Sequence, residues 1–179
     1  MSGSIATSHH LATEAGARAL REGGSAVDAA IAAAAALCVV YPNNVALGGD
    51  LVALVRSPEE GHLHQRDRTG RSGRIAGVHA RDPWGCPASA RHRHHHRAGR
   101  TQGWAALADT GGNLTWSRRL ESAVSYAREG VPTALSVSRA IREHQQVLAQ
   151  DEGAAEIFLP EGAPLQEGEP SGSPRSHRR

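Results

Sequence analysis

Residues 1–61 alternate between apolar runs and stop signals, as a packed domain does. Leu11, Ala15, Ala19 and Leu20 recur at helical spacing, and Gly23-Gly24 ends that helix. Ser25 stands where a cap belongs, and Asp28 three residues on completes a capping-box-like start. A second helix runs through Ile31, a block of alanines, Leu37 and Cys38, until Pro42 stops it. It is apolar nearly all round, which predicts burial on most sides. Leu51 to Val55 reads as a buried strand entered through Gly48-Gly49.

The pattern then disappears and returns. Residues 62–102 show no period. From 103 to 168 it resumes: Thr115 is placed to cap a helix with Leu120, Ala123, Val124 and Ala127 at i, i+3, i+4 and i+7, closed by Gly130. A second helix there carries Val137, Ala140, Ile141 and Leu148 on one face, and a short turn from Ala154 to Phe158 precedes Pro160. Trp104 and Trp116 read as packing residues. Residues 169–179 are polar and are expected to be disordered.

Composition sharpens the division. The chain has no lysine among its 20 basic residues, and only six of its 179 residues are aromatic. A core without large side chains is thin. The arginine, alanine and glycine excess points to a GC-rich coding sequence. Residues 62–102 hold nine arginines and seven histidines against two aspartates, Asp67 and Asp82, so this stretch carries about +7 and the rest about −5 of the net +2. Its composition is that of a basic irregular loop or a disordered segment.

Candidate chemistry is sparse. His92, His94, His95 and His96 could chelate zinc, copper or nickel weakly on an extended chain, but nothing nearby fixes their geometry. The arginines with Trp84 could touch nucleic acid, but no stacking array or known module accompanies them. The unstructured basic loop outweighs both readings. Cys38 reads as core packing, and Cys38 with Cys86 forms neither a metal spacing nor a redox pair. The opening MSGSIATSHH has no signal-peptide character, and the alanine-rich run is too short to span a bilayer, so a soluble cytoplasmic protein is expected. Asp28 reads as a helix N-terminal acid. Gly48-Gly49-Asp50 could shape a site wall in a complete enzyme, but as a tight strand entry it needs no such role.

The order of these pieces resembles the opening of the γ-glutamyltransferase (γ-glutamyltranspeptidase, glutathione hydrolase) family. Leu11-Ala12-Thr13-Glu14-Ala15-Gly16, Gly23-Gly24-Ser25-Ala26-Val27-Asp28-Ala29-Ala30, Val39-Val40-Tyr41-Pro42 and Gly48-Gly49-Asp50 follow the family's sequence of motifs, with His10 at the usual proline and Ser25 at the usual asparagine. The segment after Gly103-Trp104 resembles the family's large-subunit helices, and IFLPEGAPLQEGE resembles its later glycine-proline turn. The resemblance implies an α+β fold, a helix-rich incomplete portion of an αββα N-terminal-nucleophile hydrolase sandwich, opened by a short strand before His9. It implies transfer of a γ-glutamyl group to water or an amine, with the N-terminal threonine of a small subunit as nucleophile and no cofactor. No residue of the chain matches that threonine, so no catalytic residue is assigned and no substrate-binding residue is carried over. The family's carboxylate-gripping arginine would fall near Arg68 or Arg71, but the motif around it is missing. For His9 and His10, surface or cap roles outweigh a pocket-lining one. The missing small subunit would be the natural packing partner. Without it the alanine-rich helix is expected to face water and the chain to pack poorly.

The odd middle has its own explanation. The family places V-P-G just before Gly103-Trp104, where this chain has Arg93 to Gly99. GC-leaning codons for RHHHRAG can be chosen so that, read one base on, they spell D-T-I-T-V-P-G. Codons for Glu169 to His177 can likewise be chosen so that, read two bases on, they spell A-V-R-Q-P-E-V-A, near a V-x-Q-P-x-L-A stretch of the family. A compensated frameshift from about residues 62–66 to 99–103, and a second shift near Gly168, account for both. The coding DNA is predicted to spell these two segments in the shifted frames; an intact frame with the same His/Arg segment in close relatives contradicts that.

Overall fold

The computed structural model describes residues 3–48, 51–56, 63–66, 72–74 and 99–171. They divide into two compact units, one from Met1–Ala46 with Gly111–Arg179 and one from Leu47–Thr110.

The first unit is built on three helices: α1 (His10–Arg21), α2 (Ala26–Val40) and α4 (Trp116–Glu129). Helix α2 lies against both of the others. The capping box is present: Ser25 Oγ accepts from Asp28 N, and the Asp28 carboxylate accepts from Ser25 N at 2.8 Å. Small residues make the α1–α2 seam, with Ala12, Ala15, Gly16 and Ala19 on one side and Ala29, Ala32, Ala33 and Ala36 on the other, all buried. Helices with such faces approach closely, and this lets a chain poor in aromatics build a core. A Cβ on Gly16 would stand 2.2 Å from Ile5 Cδ1 and 3.0 Å from the Ala29 carbonyl oxygen, so a larger residue there requires Ile5 to move and presses on the α2 backbone. Gly23 turns the chain at φ 87°, and a Cβ on Gly24 would meet the Ala19 carbonyl oxygen at 2.6 Å.

The expected exposure of the alanine-rich helix is not found. Only Ala26 and Ala30 on α2 are exposed, because α1 and α4 cover the rest. The short strand expected before His9 is not formed either. Residues 3–7 are not a strand, and Ile5 instead packs on the cluster of Ala19, Ala29 and Ala32.

Helix α4 departs from its hydrophobic pattern. Its buried residues are Arg119, Ser122 and Ala123, whereas Val124 is 42% exposed and Leu120 half-buried. The cause is an ion pair. Arg119 Nε donates to Asp28 Oδ1 at 2.6 Å, with both side chains almost fully excluded from solvent. A buried carboxylate without a partner is costly, so satisfying Asp28 outweighs turning Val124 inward. Trp116, expected to pack, is 41% exposed and lies over the Arg119 guanidinium at 5.0 Å. Thr115 holds the N-cap position but makes no side-chain cap bond.

The remainder of this unit forms a second small core. Helices α5 (Leu135–Glu143), α6 (Gln145–Leu148) and α7 (Glu152–Phe158) bring Val137 and Ile141 against Leu159 and Leu165. Leu148, expected on one helix with Val137, sits on the separate α6 and is half-buried. Asp151 caps α7 by accepting from Ala154 N at 2.8 Å. A 3-10 turn over Pro160–Gly162 follows, and buried Ser138 donates to the Leu165 carbonyl at 2.9 Å. The chain then returns to pair β4 (Val131–Pro132) with β5 (Pro170–Ser171), and Thr133 Oγ1 donates to the Glu169 carbonyl at 2.7 Å. The start of the supposed disordered tail is therefore paired; residues 172–179 lie outside the described residues.

The second unit holds an antiparallel meander of β1 (Ala53–Arg56), β2 (Leu63–Arg66) and β3 (Ser72–Arg74), with Ala53 opposite Arg66 and His64 opposite Arg74. Two of these strands fall in the stretch 62–102 expected to be irregular, and α3 (Gly99–Ala108) begins inside it. The strand expected at Leu51–Val55 starts at Ala53 and is not buried: Val52 and Leu54 are 69% and 62% exposed, because alternate residues face opposite sides and only one side is covered. Trp104 on α3 packs as expected, 3% exposed.

Arg119→Met should lower the unfolding free energy by about 3–5 kcal/mol by stranding the Asp28 charge, measured by urea unfolding. Arg18→Gln, in an exposed ion pair, should leave the midpoint nearly unmoved.

Candidate functional site

The residues nominated from the sequence are only partly brought into view. Arg68, Arg71, Trp84, Cys86, His92, His94, His95, His96, Gly49 and Asp50 lie outside the described residues. Gly48 is half-buried at the end of the segment that follows α2. Among the described residues no group of three or more His, Cys, Asp and Glu side chains is placed to hold a metal ion.

His9 and His10 are described, and they differ. His9 is the N-cap of α1: its Nδ1 accepts from Leu11 N at 3.2 Å, and its ring is buried. Thr7 Oγ1 donates to the His9 carbonyl at 2.8 Å and lies 2.9 Å from Thr13 Oγ1. His10 is exposed and stacks on His9 with ring centroids 4.7 Å apart. Burial, and then the neighbouring His10, pushes the His9 pKa below its ordinary value. Of the surface or cap roles expected for this pair, His9 takes the cap and His10 the surface. Tyr126 Oη donates to the Leu11 carbonyl at 3.3 Å, and burial, with Glu14 adding to it, raises its pKa.

Asp28 was read from the sequence as a helix-start acid, and the structure gives it a larger part. One carboxylate oxygen accepts from Ser25 N, Ser25 Oγ and Asn113 N at 2.8, 3.1 and 2.7 Å, and the other from Arg119 Nε. Burial works to raise its pKa, but the backbone donors of Asn113 and Ser25 and the side chains of Arg119 and Ser25 more than offset that, so the carboxyl is held below the usual range. All four donor sites are internal, so this is a structural anchor with no face open to a substrate. The partners Asn113 and Arg119, 85 and 91 residues away, were missed. The available signal was a lone carboxylate on an otherwise apolar helix, which demands a partner.

A cleft of about 450 Å³ in the first unit was also missed. Pro42, Val137, Ile141, Leu148 and Phe158 give it apolar walls, and Asn43, Asn44, Glu143 and His144 supply its polar groups. It can hold an apolar side chain.

Comparison with known proteins places these features. The profile of the family described as gamma-glutamyltranspeptidase matches residues 12–176. The chain belongs to that family. It is 35% identical over 166 residues to the oxamate amidohydrolase proenzyme of Klebsiella pneumoniae, covering 86% of this chain and 30% of that protein. It is 33% identical over 162 residues to a glutathione hydrolase-like proenzyme, YwrD, of Bacillus subtilis, covering 88% and 30%. Among solved structures, the Bacillus anthracis transpeptidase CapD superposes with a TM-score of 0.74 at 25% identity, covering 99% of this chain and 56% of that one. The Helicobacter pylori gamma-glutamyltranspeptidase superposes at 0.75 and 22% identity, covering 97% and 51%. The family's fold is thus the N-terminal-nucleophile hydrolase fold. This helix-rich α+β chain corresponds to the N-terminal part of its large subunit. It spans about a third of the length of the curated relatives it matches. Among the described residues no helix is long and apolar enough to cross a membrane.

The anchor has a pH signature. The folded pKa of Asp28 lies below its unfolded value, so its contribution is complete above the unfolded pKa of about 3.9 and is lost as pH falls through the folded pKa. Between pH 5 and pH 2 the stability of the parent chain should fall more steeply than that of Asp28→Asn, followed by thermal unfolding at stepped pH.

Proposed function

We propose that this chain is large-subunit scaffold of a γ-glutamyltransferase or glutathione hydrolase type of enzyme and does not turn over substrate by itself. In this reading the intact relative transfers a γ-glutamyl group to water or an amine through an N-terminal threonine, and the polypeptide that would carry the threonine is the natural packing partner of this one. The coverage supports it: the match takes in most of this chain but 30% of each of two relatives named proenzymes. None of the 179 residues was assignable to the nucleophile from sequence. The frame-shifted origin of the His/Arg stretch and a cytoplasmic location belong to the same proposal. No observation among the described residues favours metal or nucleic-acid binding.

Purified 179-residue protein, incubated with γ-glutamyl-p-nitroanilide, is expected to release no p-nitroaniline above the uncatalysed rate. Saturable release by the chain alone contradicts the reading.

A further inference from the structure

The cleft beside the second small core is built from four separate pieces of chain: the turn after α2, helix α5, helix α6 and the end of α7. All four belong to the first unit. The lining includes the core side chains Val137 and Ile141, 3% and 4% exposed, and also Val147, 64% exposed. At about 450 Å³ the cleft falls in the size range of pockets that hold small organic molecules, and like them it is apolar with a few polar groups. Those groups share one character. Glu143 is the one acid in the lining, and no arginine lines the cleft among the described residues. Glu143 makes no ion pair and the side chains of Asn43 and Asn44 make no hydrogen bond among the described residues. His144 Nδ1 lies 3.0 Å from the Ala140 carbonyl oxygen. A carbonyl oxygen only accepts, so Nδ1 carries the hydrogen and Nε2 of the neutral ring is left as an acceptor.

We propose that this cleft binds a small aryl-alkyl ammonium ion, with the apolar body against Ile141, Leu148 and Phe158 and the ammonium donating to the Glu143 carboxylate and His144 Nε2. The surroundings carry the same sign. Residues 135–158 hold Arg139 and Arg142 against Glu143, Asp151, Glu152 and Glu156, a net of −2. Neither arginine lines the cleft, and Arg142 Nη1 is engaged with Gln166 Oε1 at 3.2 Å. Such a field favours a cation and disfavours an anion of the same shape. The division of labour is also physically inexpensive. The body of the ligand leaves water against apolar walls, while Glu143 and His144 are exposed, so the charged head keeps part of its hydration. A neutral alcohol of the same shape has the apolar contact without the ion pair, and a carboxylate meets Glu143 as a like charge.

The test is a methyl NMR titration of the 179-residue chain at pH 8 with three probes of one shape: 4-phenylbutylamine, 4-phenylbutanol and 4-phenylbutyrate. The amine should shift the methyls of Val137, Ile141 and Leu148 saturably, with a Kd of about 1–5 mM for a molecule of this size, and leave those of Leu20 on α1 in place. The alcohol should bind about two- to fivefold more weakly, the worth of one exposed ion pair, and the carboxylate more weakly still. Glu143→Gln should bring the amine to the affinity of the alcohol. Ala140→Phe fills the cleft from an exposed position on α5, so it should abolish binding of all three probes in a folded chain. No saturable shift with the amine, or an amine affinity unchanged in Glu143→Gln or in folded Ala140→Phe, overturns the proposal. So does an alcohol or a carboxylate that binds as tightly as the amine, which would leave only a seat for an apolar side chain.

Discussion

One buried carboxylate sets the arrangement of the helical unit. Asp28 sits at the start of an otherwise apolar helix and must find donors away from water. Ser25 supplies two through the capping box, Asn113 a third and Arg119 the fourth. The first two close a local turn. The others reach across the chain, so the start of α2, the turn before α4 and the first turn of α4 are fastened at one point. The ion pair also decides which face of α4 points inward. With Arg119 buried against Asp28, Ser122 and Ala123 follow it on the helix period, while Val124 is left at the surface.

The seam between α1 and α2 works by a different rule. Its residues are small, and the stabilisation comes from close approach over many short contacts. Such a seam tolerates little enlargement, as the position of Ile5 over Gly16 shows. It also specifies little by itself, because alanine faces can slide. The His9 cap, the Ser25 capping box and the other Asp28 contacts supply the register that alanine cannot. The second small core, around Val137, Ile141, Leu159 and Leu165, is fixed similarly by a polar contact, the bond from Ser138 to the Leu165 carbonyl.

What was legible in the sequence was local. The glycine pair after α1, the Ser25 box and the turn ending near Pro160 involve residues within a few positions of each other, and each appears as read. What failed was long-range. The Leu120–Val124 stripe pointed to the wrong face of α4, because an apolar period cannot register a charge pair separated by 91 residues. The strand at Leu51 looked buried from its apolar run, but burial depends on what covers each face. The family was legible because its motifs keep their order, and the profile match over residues 12–176 agrees. The chemistry was not, since the candidate residues of the basic stretch lie outside the described part of the chain.

The account depends on Asp28 and Arg119 acting as one unit. A double-mutant cycle measures this: urea unfolding of the parent, Asp28→Asn, Arg119→Met and the double variant. A shared contact predicts that the double variant loses less than the sum of the two single losses, with a coupling of about 2–3 kcal/mol. Additive losses, with coupling near zero, would contradict it and would mean that α4 is oriented by something else.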